Sequence, residues 1–253
     1  MVEKLLGARL YEYDGTDQPP WTSWLSQIQC KLFLSQFPHI SGLQPTVLGK
    51  ARQWEVMTSK GVQLINQSNS HWMCVSTIGC APDTAYFHDI MLYNKSRLHP
   101  QVTKDIASLI HAAGDCIDVM VPQSQLRESS DDCGLFAIAT ATSLCFGIPP
   151  STVLWDQKKM REHLRRCFES GKMSPFPGWD LPDRRKITPH ISDEPLLTTV
   201  KVKVYCSCKM PQVGRERMAQ CTKCLKWYHE RCENIPKTVF CKSKRTPYSC
   251  KYC

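Results

Sequence analysis

Apolar positions along the chain come in short runs whose period changes from two to about three and a half. Residues 62–78 read as two strands, Val62–Asn66 and Trp72–Ile78, separated by the polar stretch Gln67–Ser70; Ala85–Leu92 reads as a third strand and Asp118–Val121 as a short fourth. Over Thr103–Ala113 the residues Ile106, Leu109, Ile110 and Ala113 recur at helical spacing. Gly134–Phe146 is apolar nearly throughout and reads as a buried helix, whereas Val153–Glu169 reads as a charged amphipathic one. Between these lie a mixed apolar segment, Trp24 to Phe37, and a turn-rich stretch around Pro38, Gly42 and Pro45. Residues 1–24 are polar and turn-rich and read as a tail. Residues 171–202, rich in proline with little periodicity, read as a linker. There is no internal repeat.

The length, 253 residues, has room for one ordinary domain and a small one, and a hydrophobic share of 42% suits a real core. The longest apolar run, Leu135 to Ile148, is 14 residues threaded with Ser and Thr, short of the ~18 needed to cross a bilayer. Met1 to Tyr11 lacks the order of a secretory signal. The expectation is a soluble, intracellular protein with no membrane partner. Of 15 cysteines, eight fall between Cys206 and Cys253, mostly in tight pairs, and the rest are scattered among apolar neighbours, which suits a reducing compartment. Charge is divided unevenly. Residues 201–253 hold 13 Lys or Arg against 3 Glu, a net of +10, while residues 1–200 hold 19 against 20, a net of −1. The two parts therefore present different surfaces to different partners.

The paired cysteines carry the clearest chemistry. Cys206-x-Cys208 is followed after 12 residues by Cys221-x2-Cys224, after four by His229-x2-Cys232, and after 17 by Cys250-x2-Cys253. Zinc takes four tetrahedral nitrogen or sulfur ligands, and close pairs on tight turns supply two at a time. Eight ligands make two closed structural sites, and in so small a segment metal binding supplies much of the folding free energy. The C4-H-C3 order, with Trp227-Tyr228 just before His229, resembles the PHD finger family. That resemblance implies a cross-braced pair of zinc ions, one on Cys206, Cys208, His229 and Cys232, the other on Cys221, Cys224, Cys250 and Cys253. It also implies a methyl-lysine cage at Tyr205, Met218 and Trp227 for a histone tail, aromatic faces attracting a methylammonium and Met forming a pliable wall. Trp227 equally suits packing in a small core. Tyr228 and Tyr248 are assigned to that core, and the leftover Cys241 to packing. With seven thiolates and two zinc ions counted, the segment still carries about +7, which suits contact with a nucleic-acid backbone. A solvated basic face is the other reading.

A second constellation lies upstream: His71-Trp72, Asp89, Gln125 and Asp132-Cys133-Gly134, in that order. A thiol peptidase needs a thiolate, an imidazole to take its proton, an acid to orient the ring and donors for the oxyanion. If Trp72–Ile78 and Ala85–Leu92 form a hairpin turning near Ala81, His71 lies opposite Met91 and Asp89 is its diagonal neighbour on the same face. Cys133 stands at the start of the apolar helix, whose amides stabilise a thiolate. Asp131 and Asp132 oppose that effect, though either can cap the helix. The amide of Gly134 or Cys133 and the side chain of Gln125 are the candidate oxyanion donors.

Taken together, HW at 71–72, an Asp 18 residues on inside an apolar strand, and a Gln ahead of DCGLFA (132–137) resemble the Ulp/SENP-type proteases of ubiquitin-like proteins, over roughly residues 25–170. The stretches SQFPHISGLQ (35–44) and DDCGLFAIATA (131–141) are similar to Ulp-like domains associated with mobile elements. The resemblance implies an α+β, papain-like fold with a His71–Asp89–Cys133 triad, and Trp72 walling a narrow channel for a Gly-Gly tail. In that family the oxyanion Gln stands about six residues before the nucleophile, where this chain has Arg127; Gln125 is two further back, and Gln123 is a second candidate. The domains expected are a tail (1–24), a Ulp-like cysteine protease (25–170), a linker (171–202) and a PHD-type zinc finger (203–253). The function expected is a nuclear cysteine-type peptidase for a SUMO-like or other ubiquitin-like protein or its conjugates, brought to chromatin by its finger. The alternative is a catalytically inactive chromatin-binding scaffold with a vestigial protease fold.

Overall fold

The computed structural model describes residues 32–51, 53–68, 71–91, 97–123, 125, 132–180, 197–241 and 246–253. The tail assigned to residues 1–24, Arg127 and Asp131 lie outside them. In chain order the elements are β1 (Ser41–Gly42), α1 (Val47–Ala51), β2 (Gly61–Gln67), β3 (His71–Ser76), β4 (Thr84–His88), α2 (Pro100–Ile110), β5 (Cys116–Pro122), α3 (Cys133–Cys145), β6 (Val153–Trp155), α4 (Gln157–Ser170), β7 (Gly178–Asp180), β8 (Leu197–Lys203), β9 (Met218–Gln220) and β10 (Trp227–His229).

The fold is α+β. A six-stranded sheet runs in the order β1-β2-β3-β4-β5-β8, antiparallel except where β1 meets β2 and β4 meets β5. Alternation along the strands assigns the two faces. On β3, Trp72 and Cys74 join the core built on α3, while Met73 and Val75 join the core built on α2. Phe87 of β4 and Ile117, Val119 and Val121 of β5 also face α2, against Val102, Ile106 and Leu109. Helix α3 has the sheet on one side and Met160, Leu164 and Cys167 of α4 on the other, with Phe33 and Phe37 closing the layer. A helix covered all round has no polar stripe, hence the unbroken apolar run Leu135–Ala139.

Three stretches depart from the sequence reading. The strand expected over Ala85–Leu92 ends at His88. The helix expected over Val153–Glu169 begins at Gln157. Val153, Leu154 and Trp155, β-branched and aromatic at two of three positions, pair instead with β7. More consequentially, part of the linker span 171–202 is structured. β7 occupies Gly178–Asp180, and Leu197–Lys203 pairs with all seven residues of β5 at the sheet edge. Its sequence, LTTVKVK, alternates: Val202 is buried, Val200 packs against the α2 core, and Lys201 and Lys203 face solvent. Proline-rich composition masked that period of two. Lysines on an outermost strand also discourage pairing with another chain.

β8 leads straight into the cysteine-rich segment and fastens it to the sheet. The Val204 amide donates to the Asp115 carbonyl at 3.0 Å, and the Val204 side chain is buried in the α2 core. Lys209 Nζ donates to the carbonyls of Ala113 (3.0 Å) and Gly114 (2.8 Å) just beyond α2. Met210 packs against the same core beside Ser108 of α2, and Lys104 pairs with Glu216 at 3.1 Å. Lys209 satisfies two carbonyls at once with a side chain only 23% exposed, so Lys209→Ala is expected to cost about 1 kcal/mol. In a chain of this size that lowers Tm by roughly 2–4 °C, read by calorimetry; an unchanged Tm would mean the ammonium contributes nothing to docking.

Candidate active site and metal clusters

The β3–β4 hairpin pairs Cys74 with His88, Val75 with Phe87 and Ser76 with Tyr86. Extended to the strand end, that register sets His71 opposite Met91 and puts Asp89 diagonally across on the same face, as the turn near Ala81 predicts. His71 Nε2 lies 2.6 Å from Asp89 Oδ1, both side chains largely buried. Asp89 Oδ1 also accepts from the Met91 amide at 2.8 Å, which holds the carboxylate still. With Nε2 engaged, Nδ1 is the ring atom left for the thiol. It is buried, and among the described residues Cys133 is the other group acting on the ring.

The helix start brings Cys133 to the imidazole. Cys133, 7% exposed, is the first residue of α3, which packs against β3. Burial pushes its pKa up, but hydrogen bonds from His71 and from the backbone at Trp72 and Gly134, with the charge of His71, outweigh burial and leave it below the ordinary thiol value. Burial likewise pulls the His71 ring down, yet its hydrogen bonds to Asp89 and Cys133 and their charges raise it to about 9. Both shifts favour the same ionised pair, thiolate and imidazolium.

Asp132 does not cap α3 with its side chain. The carboxylate turns to α4, where it accepts from Gln157 Nε2 at 2.5 Å and pairs with Arg161. That pairing offsets a negative charge that would otherwise oppose the thiolate. The Trp72 ring lies over the start of α3; a Cβ added at Gly134 would meet it at 3.6 Å, an ordinary contact, so the protein itself does not demand glycine there.

Gln125 is placed differently from the oxyanion role expected of it. Its amide is spent at both ends on β6, Nε2 donating to the Trp155 carbonyl at 2.9 Å and Oε1 accepting from the Trp155 amide at 2.8 Å. It still lines the cleft that holds Cys133, together with Gln123, Trp72, His88 and Trp155. His88 and Trp155 carried no signal in the sequence, because a histidine on a strand and a tryptophan ahead of a helix are commonplace.

The cysteine-rich segment forms two clusters, Cys206, Cys208, His229 and Cys232, and Cys221, Cys224, Cys250 and Cys253. The four ligand atoms of each lie within 4.8 Å of one another. This is the interleaved pairing that the resemblance implies. Each set could hold a metal ion, and thiolate and imidazole donors in fours are of the kind zinc takes. His229 Nδ1 faces the Cys208 sulfur at 3.4 Å. Tyr228 and Tyr248 are buried in the core between the clusters, but Cys241 is exposed; it ends a short 3-10 turn whose buried residue is Val239. The β9–β10 register sets Trp227 opposite Gln220 and His229 opposite Met218, so Met218 and Trp227 share one face of the hairpin. Trp227 is 44% exposed, and its carbonyl accepts from the amide of Cys206, next to Tyr205.

No family model matches the chain, and no curated protein matches it. Among solved structures it is similar to the SUMO protease Ulp1 with its catalytic cysteine oxidised to a sulfonic acid, at a TM-score of 0.47 and 15% identity over 59% of this chain and 78% of that one. It is also similar to the C-terminal Ulp1 protease domain in complex with Smt3, the yeast orthologue of SUMO, at a TM-score of 0.47 and 14% identity over 59% of this chain and 76% of that one.

Two measurements follow from this geometry. Iodoacetamide is expected to alkylate Cys133 at pH values where an ordinary cysteine is still a thiol, with Asp89→Asn slowing the reaction about tenfold at pH 6.5, the effect of roughly one pKa unit. Equal rates in the two proteins would mean Asp89 does not support the ion pair. Chelation is expected to lower the Tm of the whole chain, since β8 joins the sheet to the first cluster; an unshifted sheet transition would show the two parts to be independent.

Proposed function

We propose that this chain is a cysteine peptidase in which Cys133 attacks, His71 takes and returns the proton and Asp89 orients the ring. The observation that carries this reading is one imidazole between a carboxylate at 2.6 Å and a thiol whose pKa is held down. The thiolate adds to a peptide or isopeptide carbonyl, and its oxyanion takes hydrogen bonds from backbone amides at the start of α3. The His71 imidazolium then protonates the departing amine. Water, deprotonated by the same ring, releases the acyl group.

The substrate we assign is the tail of a ubiquitin-like, SUMO-like protein. The supporting features are the HW, Asp and DCG motifs and Trp72 beside the nucleophile. For the second part of the chain we propose two structural zinc ions in a PHD-type finger that reads a methylated histone tail through Tyr205, Met218 and Trp227, which implies a nuclear location. The shared face of Met218 and Trp227 and the exposure of Trp227 support that reading. A second reading, an inactive chromatin-binding scaffold, is favoured by Gln125, whose amide is committed to Trp155.

The deciding experiment is labelling by ubiquitin-like proteins that carry C-terminal thiol-reactive warheads, with Cys133→Ala as control. A Cys133-dependent adduct is expected; a folded, metal-loaded chain that no probe labels belongs to the scaffold reading. Cleavage is expected to fall on the acid side as Cys133 protonates and above about pH 9 as His71 loses the proton it must give the leaving amine. A profile still rising beyond pH 9 would remove His71 as the acid. For the finger, Trp227→Ala is expected to weaken binding of a trimethyl-lysine tail peptide at least tenfold. Binding indifferent to methylation but falling steeply with salt would point instead to nucleic acid.

A further inference from the structure

The two cysteine clusters differ in the charge they leave around a metal ion. Four thiolates on one divalent ion, as Cys221, Cys224, Cys250 and Cys253 supply, leave a net −2; three thiolates and a neutral imidazole, as in the first cluster, leave −1. Two residues of the more negative cluster, Cys221 and Cys250, are buried. Buried charge without a partner is costly, so these sulfurs need hydrogen-bond donors.

The backbone supplies some of them. The amides of Lys223 and Cys250 donate to Cys221 Sγ at 3.4 and 3.3 Å. Cys224 is met by a side chain instead: the Tyr228 hydroxyl lies 3.5 Å from its sulfur. Either atom can donate while the cysteine is a free thiol. A ligating sulfur carries no proton, so in the loaded cluster the hydroxyl is the donor. The Cys250 sulfur interacts with the same hydroxyl.

Register and packing hold the hydroxyl there. Tyr228 stands opposite Ala219 in the β9–β10 hairpin, and alternation turns its ring away from the face shared by Met218 and Trp227, into the core between the clusters. The residue is 5% exposed. Its ring meets Tyr248 edge-on with centroids 5.9 Å apart and stacks on Tyr252 at 6.3 Å. Cys224 is presented by a tight turn, in which the Cys221 amide donates to the Lys226 carbonyl at 2.9 Å and the Leu225 amide to the Cys221 carbonyl at 3.0 Å. A phenylalanine would fill the same space, so packing alone does not call for the oxygen. A buried tyrosine hydroxyl needs a polar partner, and here that partner is a ligand sulfur.

We infer that Tyr228 is a positioning residue for the second metal cluster, its hydroxyl donating to Cys224 Sγ and drawing charge off a four-thiolate site. The inference rests on the reading of the cysteine-rich segment as two structural zinc sites, and adds to it a hydrogen bond that strengthens one of them. The ring of Tyr228 belongs to the core; its oxygen serves the metal. Because the next residue, His229, belongs to the first cluster, one short strand serves both sites.

The test compares the full-length, zinc-loaded chain with Tyr228→Phe, which keeps the ring and removes only the oxygen. In competition with a chelating dye, the variant is expected to hold one of its two zinc ions about tenfold more weakly, the lower end of what such contacts contribute. Maleimide labelling read by mass spectrometry is expected to find the newly reactive cysteines in the second cluster alone. With cobalt(II) in place of zinc, the sulfur-to-cobalt charge-transfer absorption is expected to move to lower energy, because a sulfur relieved of a hydrogen bond is a stronger electron donor. A change in packing alone would leave that absorption in place. Equal affinities and identical cobalt spectra in the two proteins overturn the inference. Weakening confined to the first cluster, or shared equally by both, overturns it as well and leaves Tyr228 a packing residue. Zinc content of the unsubstituted chain keeps the two readings apart: a chain that takes up no zinc sinks the zinc reading and this inference with it, whereas two bound ions indifferent to the hydroxyl sink this inference only.

Discussion

One imidazole that must face two partners sets the terms for the rest of this molecule. His71 can hold Asp89 with Nε2 and offer Nδ1 to Cys133 only if the first residue of β3, the residue after β4 and the first residue of α3 converge within a few ångströms. Much of the surrounding structure follows from that requirement. β3 and β4 are antiparallel neighbours in a register that puts 71 and 89 on one face, and α3 is pressed against β3 so that its start reaches the strand end. The helix achieves this by being apolar on every side, and the layer of α4, Phe33 and Phe37 exists to bury what the sheet cannot.

Charge around the pair is arranged to the same end. Asp132, one residue before the thiol, would raise its pKa if left alone; Arg161 and Gln157 take it up. The aligned amides of α3 and the His71 ring then act on a thiol whose preceding carboxylate is compensated. Gln125 shows the converse, a side chain that looks available in the sequence yet is consumed by a structural task. An amide that bridges both backbone groups of another residue cannot also donate to an oxyanion without leaving them unpaired, at about 1–3 kcal/mol each.

The cysteine-rich segment is fastened to the sheet. β8 is both the last strand of the sheet and the lead-in to Cys206, and Lys209, next after Cys208, satisfies carbonyls at the end of α2. The first cysteine cluster and a sheet edge thus share one piece of backbone, so that ordering one restrains the other.

Local spacing was enough for several of these features. The period of the apolar residues marks β2, β3, α2 and α3; the register of the 71–91 hairpin follows from its turn; and the ligand pairs follow from short intervals of sequence, while their interleaving into two clusters is what the resemblance to a PHD finger implies. The ion pair could be anticipated as three residue types in order, but not its electrostatics, which depend on burial and on a carboxylate compensated from another helix. The fate of Gln125, the exposure of Cys241 and the strands hidden in the proline-rich 171–202 span were decided by tertiary structure alone. Each depends on which distant backbone or side chain arrives beside it, and a single chain's sequence encodes that only through the packing of the whole.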